Sequence, residues 1–469
     1  LAGGFEMEEQ NIFLLRADQY QQDPGKWFVD PQVDISGLDN GDHPIRLIGS
    51  RGSGKTMILR SIAAKPIGES ITECSTSTPS RLRIYIRPDN QLMGGMTGWG
   101  LEKDVWKTAS NELMLLRIFE EATKKINDWL KTRDLISLCF DYDNFCFSEN
   151  GKELSLWIRQ AQHKLYKWAR CPSDKPPVVM AALGSLASLL KSLNHHYPGF
   201  PQHLAVSVYF DEQEIYREHQ QIIINDWIKN PPEGWVFHVA HRRYLDYVTK
   251  TSTTEIIDKS NDFREIDLDA PLVDSSEDAK FYRRRFYRKL ILNEIRNIEG
   301  NEIEDDTFSP NDFLPSYTKA ELATKLREEK YANDAWKRLT ENAAKIAKKD
   351  PNEVVIEGNA IKDDRRWVLW PMMVARRKND NFDKNQIENL IHNYLTGAIL
   401  QIYFEAKGRV SMHYYAGFNA LCSIVLSNVR EFILILKLAI EYEIQGEEGK
   451  SLLDVIRSGL SSENQYKAV

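Results

Sequence analysis

The sequence predicts an α/β fold, a parallel sheet flanked by helices, followed by a mainly helical region. Three observations carry that reading. Apolar or β-branched runs recur at 45–48, 81–86, 204–210, 235–240 and 263–268, with helical patterns between most of them. Strands that alternate with helices are the pattern of a parallel, doubly wound sheet. The first run opens into a glycine-rich turn, Gly49-Ser-Arg-Gly-Ser-Gly-Lys55-Thr56, and then into a helical pattern of Met57, Ile58, Leu59, Ile62 and Ala63. From about residue 275 onward, helical periodicity prevails.

At 469 residues the chain is too long for one ordinary core, and two or three domains are expected. A hydrophobic share of 42% beside 28% charged residues excludes a disordered or fibrous chain. The formal net charge of −7 provides no overall basic field for nucleic acid, which leaves only local patches for that role. The five cysteines (Cys74, Cys139, Cys146, Cys171, Cys422) are scattered and never spaced C-x-x-C. That argues against a disulfide framework or a zinc cluster and fits a reducing, cytoplasmic setting. Phe418 to Ile440 is strongly apolar but carries Arg430, Glu431 and Lys437, so it reads as a buried amphipathic helix and no membrane partner is expected. The opening Leu1–Glu6 reads as a remnant ahead of a native start at Met7, and the natural protein is expected to continue past Val469.

Taken in order, residues 8–44 are mixed and polar and end in a strong turn signal, Asn40-Gly-Asp-His-Pro44. A Ser/Thr-rich loop follows the first helix, and Arg81-Leu-Arg-Ile-Tyr-Ile86 then alternates as a strand does. Gly94, Gly95, Gly98 and Gly100 mark a loop before a long helical pattern over about 103–132. Helical stretches are expected at 152–170 and, helical or mixed, at 178–193. The acidic, proline-containing segment 299–315 is the best boundary candidate. The expected organisation is a core over 8–270, a helical insertion over 275–390 and a helical lid over 391–469.

The glycine-rich turn matches the phosphate-binding pattern G-x-x-x-x-G-K-[ST] at each fixed position, which makes the fold a P-loop NTPase sheet. Gly49, Ser50, Arg51, Gly52, Ser53, Gly54, Lys55, Thr56 and Met57 are the candidate phosphate cradle, because backbone N–H groups at a helix N-terminus hold anions. Lys55 is the β/γ-phosphate contact and the Thr56 hydroxyl an Mg²⁺ ligand. The complement is Val206-Ser-Val-Tyr-Phe-Asp211-Glu212: Asp211 as the metal carboxylate, Glu212 as the group that orients or deprotonates water. The next strand ends in His241-Arg242-Arg243, where Arg242 is the first choice for sensing a terminal phosphate. Arg430, at the start of a late helix, is a candidate for closing over the phosphates. Asp141 and Asp143 are read as a turn and not as a metal pair.

With these residues the chain resembles the AAA+ ATPases of the origin-recognition (Orc/Cdc-like) type, and more closely their bacterial relatives among antiphage-defence and mobile-element genes. The blocks are 49–60, Ile84-Tyr-Ile-Arg87, Phe210-Asp-Glu-Gln-Glu-Ile-Tyr216 and Gln220-Gln-Ile-Ile-Ile-Asn225. They continue with Phe237-His-Val-Ala-His-Arg242, Tyr415-Ala-Gly-Phe-Asn419 and Ser427-Asn-Val-Arg430-Glu-Phe432. The resemblance implies ATP and Mg²⁺ as cofactors, Arg242 as first sensor and Arg430 as second. His238 and His241 depart from the expected pattern, and the long helical stretch before the lid has no counterpart in it.

Lys280-Phe-Tyr-Arg-Arg-Arg-Phe-Tyr-Arg-Lys289 interleaves basic and aromatic residues. At helical spacing Lys280, Arg284 and Arg288 share one face and Tyr282, Phe286 and Leu290 another. The basic face either follows nucleic-acid phosphates or is a solvated face opposite a core stripe. Three functions stay open: an ATPase and sensor that controls a protein effector in a defence complex, a DNA-loading or remodelling ATPase, and a nucleotide-locked scaffold without turnover. Each is expected to work as a homo-oligomer or in a complex.

Overall fold

Five parallel strands form the sheet that positions the candidate site. The computed structural model describes residues 24–67, 80–88, 102–135, 138–141, 146–147, 152–172, 175–177, 183–299, 307–376, 384–407, 415–446 and 450–469, apart from positions 26, 32, 198 and 254. The strands are β1 (Ile45–Gly49), β2 (Arg81–Ile86), β6 (Ala205–Phe210), β7 (Trp235–Arg242) and β8 (Arg264–Asp267), in spatial order β2-β6-β7-β1-β8. All neighbouring pairs are parallel, which bears out the α/β reading and its five strand segments. Three further strands, β3 (Cys139–Asp141), β4 (Cys146–Phe147) and β5 (Lys152–Glu153), make a small antiparallel sheet where the sequence suggested a turn. Packing of Phe140 against Phe147 and Trp157 overrides the local turn signal there. Asp143 lies outside the described residues.

The chain divides into two compact units, Leu14–Asn293 with Leu426–Arg430, and Glu294–Val425 with Glu431–Val469. In the first, strand periodicity sends alternate side chains to opposite faces. Ile45, Leu47, Tyr209, Ala240 and Ile266 pack with Leu38 of α1 (Ser36–Asn40) and with Ile58, Leu59 and Ile62 of α2 (Lys55–Ala64). Ile84, Val206, Val208, Phe237 and Val239 instead join the core that includes α3 (Lys103–Lys131), α4 (Leu154–Arg170), α5 (Leu183–Lys191) and α7 (Glu218–Lys229). A short α6 (Leu193–His196) follows α5. The arginines that make β2 alternate do not face water. Arg83 bonds Asp39 at 2.6 Å with both side chains buried, and Lys65 reaches the same carboxylate at 3.0 Å. A buried carboxylate is tolerated only when paired and hydrogen-bonded in this way.

After α8 (Ala270–Val273), helix α9 (Glu277–Glu299) buries Phe286 and Leu290 as expected, yet leaves Tyr282 exposed and buries Arg283. Arg284 is exposed and Arg288 half-buried.

The second unit is helical among its described residues. After the single turn α10 (Pro310–Phe313), helices α11 (Lys319–Glu328), α12 (Lys330–Ala347), α13 (Pro351–Asn359), α14 (Asp364–Ala375) and α15 (Lys384–Glu405) surround stacked Trp336 and Trp367 rings 4.7 Å apart. The Trp336 and Trp370 indole N–H groups donate to the Trp367 and Val354 carbonyls, so these tryptophans are core, not surface. The predicted helix over 418–440 is two helices, α16 (Phe418–Val425) and α17 (Val429–Gly446). Leu426, at φ 49°, breaks it. The chain ends in α18 (Leu452–Ser458) and α19 (Ser462–Ala468). Among the described residues no helix is long and apolar enough to cross a membrane.

Glu443 of α17 ties these last helices together. It accepts from Lys450 Nζ at 3.0 Å, the Ser461 N–H at 3.0 Å and hydroxyl at 2.8 Å, and Asn464 Nδ2 at 2.8 Å. Burial alone would raise its carboxyl, but the bonds from Asn464, Lys450 and Ser461 outweigh it and lower the pKa from 4.5 to about 2. A depressed folded-state pKa contributes stability above the unfolded value and loses it as pH falls through the folded one. Calorimetric melting from pH 6 to pH 3 is therefore expected to show wild type losing stability below pH 4.5. Glu443→Gln should start on the order of 2–3 kcal/mol lower at pH 6 and change less with acid. Parallel curves for the two proteins would show that Glu443 does not carry this acid sensitivity.

Candidate functional site

The site begins where β1 runs out. Gly49 ends the strand and Lys55 opens α2, with Gly54 as N-cap in the left-handed region at φ 91°. Gly52 is left-handed too, at φ 88°, so the turn needs glycine at both positions. A Cβ on Gly54 would meet nothing within 4 Å, so the loop is open on that side. At Gly52 a Cβ would instead run into Asn428 and Arg430. The N–H groups and the dipole of α2's first turn therefore adjoin a loop that is open at Gly54, an arrangement that suits an anion.

Lys55 folds back over this loop. Its Nζ donates to the Gly49 and Ser50 carbonyls, both at 2.8 Å, and to Ser53 Oγ at 3.3 Å. Burial pushes its pKa down, against the attraction of Glu214, Asp211 and Asp269. Among the described residues no carboxylate is in ion-pair contact with it, so its charge is available to a bound anion. Thr56 Oγ1 donates at 2.7 Å to Asp211 Oδ2, which also accepts from Tyr85 OH at 2.8 Å. Asp211, at the tip of β6, is 1% exposed, and burial pushes its carboxyl up against the hydrogen bonds from Thr56 and Tyr85. A cation held by Thr56 and Asp211 would relieve that cost.

Glu212 is in the left-handed region at φ 50°, a strained backbone for a residue with a Cβ, and its carboxylate lies 3.4 Å from Arg87 Nε. Arg242 stands opposite Gly49 in the register of β1 and β7, and its Nε pairs with Glu214 at 2.8 Å. The Arg243 N–H donates to the Gly49 carbonyl at 3.0 Å. On the other side of the loop, Asp269 accepts from the Ser50 N–H at 2.6 Å and its hydroxyl at 3.1 Å. Ser50 Oγ lies 3.3 Å from Ser427 Oγ. The break between α16 and α17 thus places Ser427, Asn428 and Arg430 against the loop. The Leu426 carbonyl there accepts from Tyr287 OH at 2.9 Å.

The structure therefore gathers Gly49 to Thr56, Asp211, Glu212, Arg242 and Arg430 in one unit; Arg51 is exposed and Met57 partly buried. Arg284 and Arg288 lie on α9. Sequence reasoning missed Tyr85, Arg87, Glu214 and Asp269. Asp269 and Glu214 are carboxylates just past strand tips, where ligands of open α/β sheets bind, and that position was the available signal. His238 and His241 are buried in β7, and burial lowers them to about 3 and about 4. His238 stacks on Tyr209 and accepts the Ile45 N–H at 3.2 Å, so it is a neutral core residue.

A family model described as ORC-CDC6-like matches residues 13–469. The chain belongs to the ORC-CDC6-like family. No curated protein and no solved structure matches it. Membership makes the protein AAA+ in type and implies ATP binding, usually with Mg²⁺. The open cradle at Gly54, Lys55 with no carboxylate in ion-pair contact among the described residues, and the buried Asp211 fit those two groups.

The Asp269 clamp is testable apart from any ligand. Asp269→Ala is expected to speed amide hydrogen exchange over 49–54 by roughly tenfold or more, because the part-buried Ser50 N–H loses its acceptor. Exchange in β6 should stay at its wild-type rate. Unchanged exchange in the loop would show that Asp269 does not hold it.

Proposed function

We infer that this ORC-CDC6-like protein binds ATP with Mg²⁺ at the loop and hydrolyses it to ADP and phosphate, acting as a nucleotide-driven switch. The observation that carries the reading is the contact of Thr56 with Asp211, with Glu212 next to it and Lys55 on the open loop. Gly49 to Met57 would cradle the phosphates and Lys55 would contact the β- and γ-phosphates. Thr56 and Asp211 would hold Mg²⁺, which supplies charge neutralisation at the phosphates. Glu212 would orient or deprotonate the attacking water, and Arg242 and Arg430 would approach the terminal phosphate. Catalysis of this kind is positioning and electrostatics, which suits residues fixed at strand tips.

The resemblance to bacterial defence-associated relatives supports a narrower role: a cytoplasmic ATPase and sensor subunit that oligomerises and controls a protein effector. A second reading, a DNA-loading or remodelling ATPase, is favoured by the exposed Phe281, Tyr282, Arg284 and Arg285 on α9. Salt-dependent DNA binding that is lost in Arg284→Glu/Arg285→Glu would favour it.

Steady-state ATP turnover tests the site. Glu212→Gln is expected to bind ATP but lower kcat by about a hundredfold or more, and Lys55→Ala to lose binding as well. Wild-type protein that binds ATP without turnover would replace the hydrolase reading with that of a nucleotide-locked scaffold.

A further inference from the structure

Glu214 has no role in the scheme above, yet it sits among the phosphate-contact candidates. It belongs to the 3₁₀ turn Gln213–Ile215 that follows the left-handed Glu212, and its side chain is 8% exposed. Burial pushes its carboxyl up, against the opposing pull of Arg242 and, less strongly, of Lys55. Arg242 is the cation in direct contact with it. Oε1 of Glu214 lies 2.8 Å from Arg242 Nε as an ion pair, and Oε2 accepts from the Arg242 backbone N–H at 3.3 Å. One carboxylate therefore meets both the backbone and the inner nitrogen of the same arginine.

Guanidinium is a planar fork with five N–H donors. The ion pair lies on the Nε side of the fork and leaves the two terminal nitrogens. Among the described residues neither makes a hydrogen bond, and the Arg242 side chain is 38% exposed. That outer edge is the part of arginine suited to bidentate contact with phosphate. Arg242 also stands in register with Gly49, the first residue of the loop.

We propose that Glu214 is a positioning residue that holds Arg242 by its backbone and Nε, so that the outer fork is preset for the terminal phosphate and the site distinguishes ATP from ADP through this pair. An arginine held in advance loses less freedom when it meets phosphate, which favours the ligand with the third phosphate. The inference rests on the ATP reading of the site.

The test is a cycle of Glu214→Ala, Arg242→Ala and the double variant, with Glu214→Gln beside them. Affinities for fluorescently labelled ATP and ADP are measured separately, together with kcat and KM. Wild type is expected to prefer ATP. Glu214→Ala and Arg242→Ala should each lose that preference and lower kcat by roughly tenfold or more, with ADP affinity little changed. The double variant should be no worse than either single one, the mark of two residues acting as a unit. Glu214→Gln, which keeps one acceptor oxygen, should recover part of the loss. Glu214→Ala with wild-type kcat and ATP preference but a lower melting temperature would overturn the inference and leave a structural ion pair. Additive losses in the double variant, or a wild type without ATP preference, would overturn it too. If wild type bound neither nucleotide, the ATP reading itself would fall, an outcome distinct from failure of Glu214 alone.

Discussion

The contact between the Thr56 hydroxyl and Asp211 joins two strands that are not neighbours. In the sheet β7 lies between β1 and β6, so the loop after β1 and the carboxylate at the tip of β6 meet only across it. Asp211 is almost wholly buried, and without donors its charge would be costly. Thr56, Tyr85 and the Glu212 N–H provide them, drawn from α2, β2 and the turn after β6. Sheet order, the start of α2 and the strained Glu212 backbone are all required for this one carboxylate to be tolerated.

Around that contact the site balances its charges locally. Glu214 pairs with Arg242, Asp269 accepts from Ser50 and lies 3.9 Å from Arg243, and Arg87 pairs with Glu212. The arginines are paired with carboxylates and Lys55 is tied to the loop's own carbonyls, so the loop's shape is set by its neighbours, which is the condition for electrostatic preorganisation. The segment Leu426–Arg430 belongs to the same arrangement, since only glycine at position 52 lets Asn428 and Arg430 approach so closely.

The same logic explains residues that look out of place in strands. Arg46 interrupts the apolar run of β1 yet is fully buried, its guanidinium 3.6 Å from the Tyr247 ring centroid and 4.1 Å from that of Phe263. Aromatic faces replace hydrogen-bonding partners there. His238 stays neutral because burial disfavours its charge, which lets its ring accept a backbone N–H inside the core. Arg46 and His238, like Arg81 and Arg83 of β2, mark internal contacts and not solvent.

Five strands, the glycine turn and the long helices of the first unit were legible because their signals are local: side-chain alternation, a positive φ that only glycine adopts freely, and helical spacing. Lys55, Thr56, Asp211 and Glu212 were legible for the same reason, as each sits at a fixed offset from a strand end. The small antiparallel sheet and the break at Leu426 were not, since contacts distant in sequence decide them. Nor were Tyr85, Glu214 and Asp269, whose partners Asp211, Arg242 and Ser50 lie 126, 28 and 219 residues away. By itself the sequence determined the elements and the chemistry each can offer. Only the tertiary structure decided which carboxylate faces which cation, because the order of the strands brings those tips together and no local pattern records it.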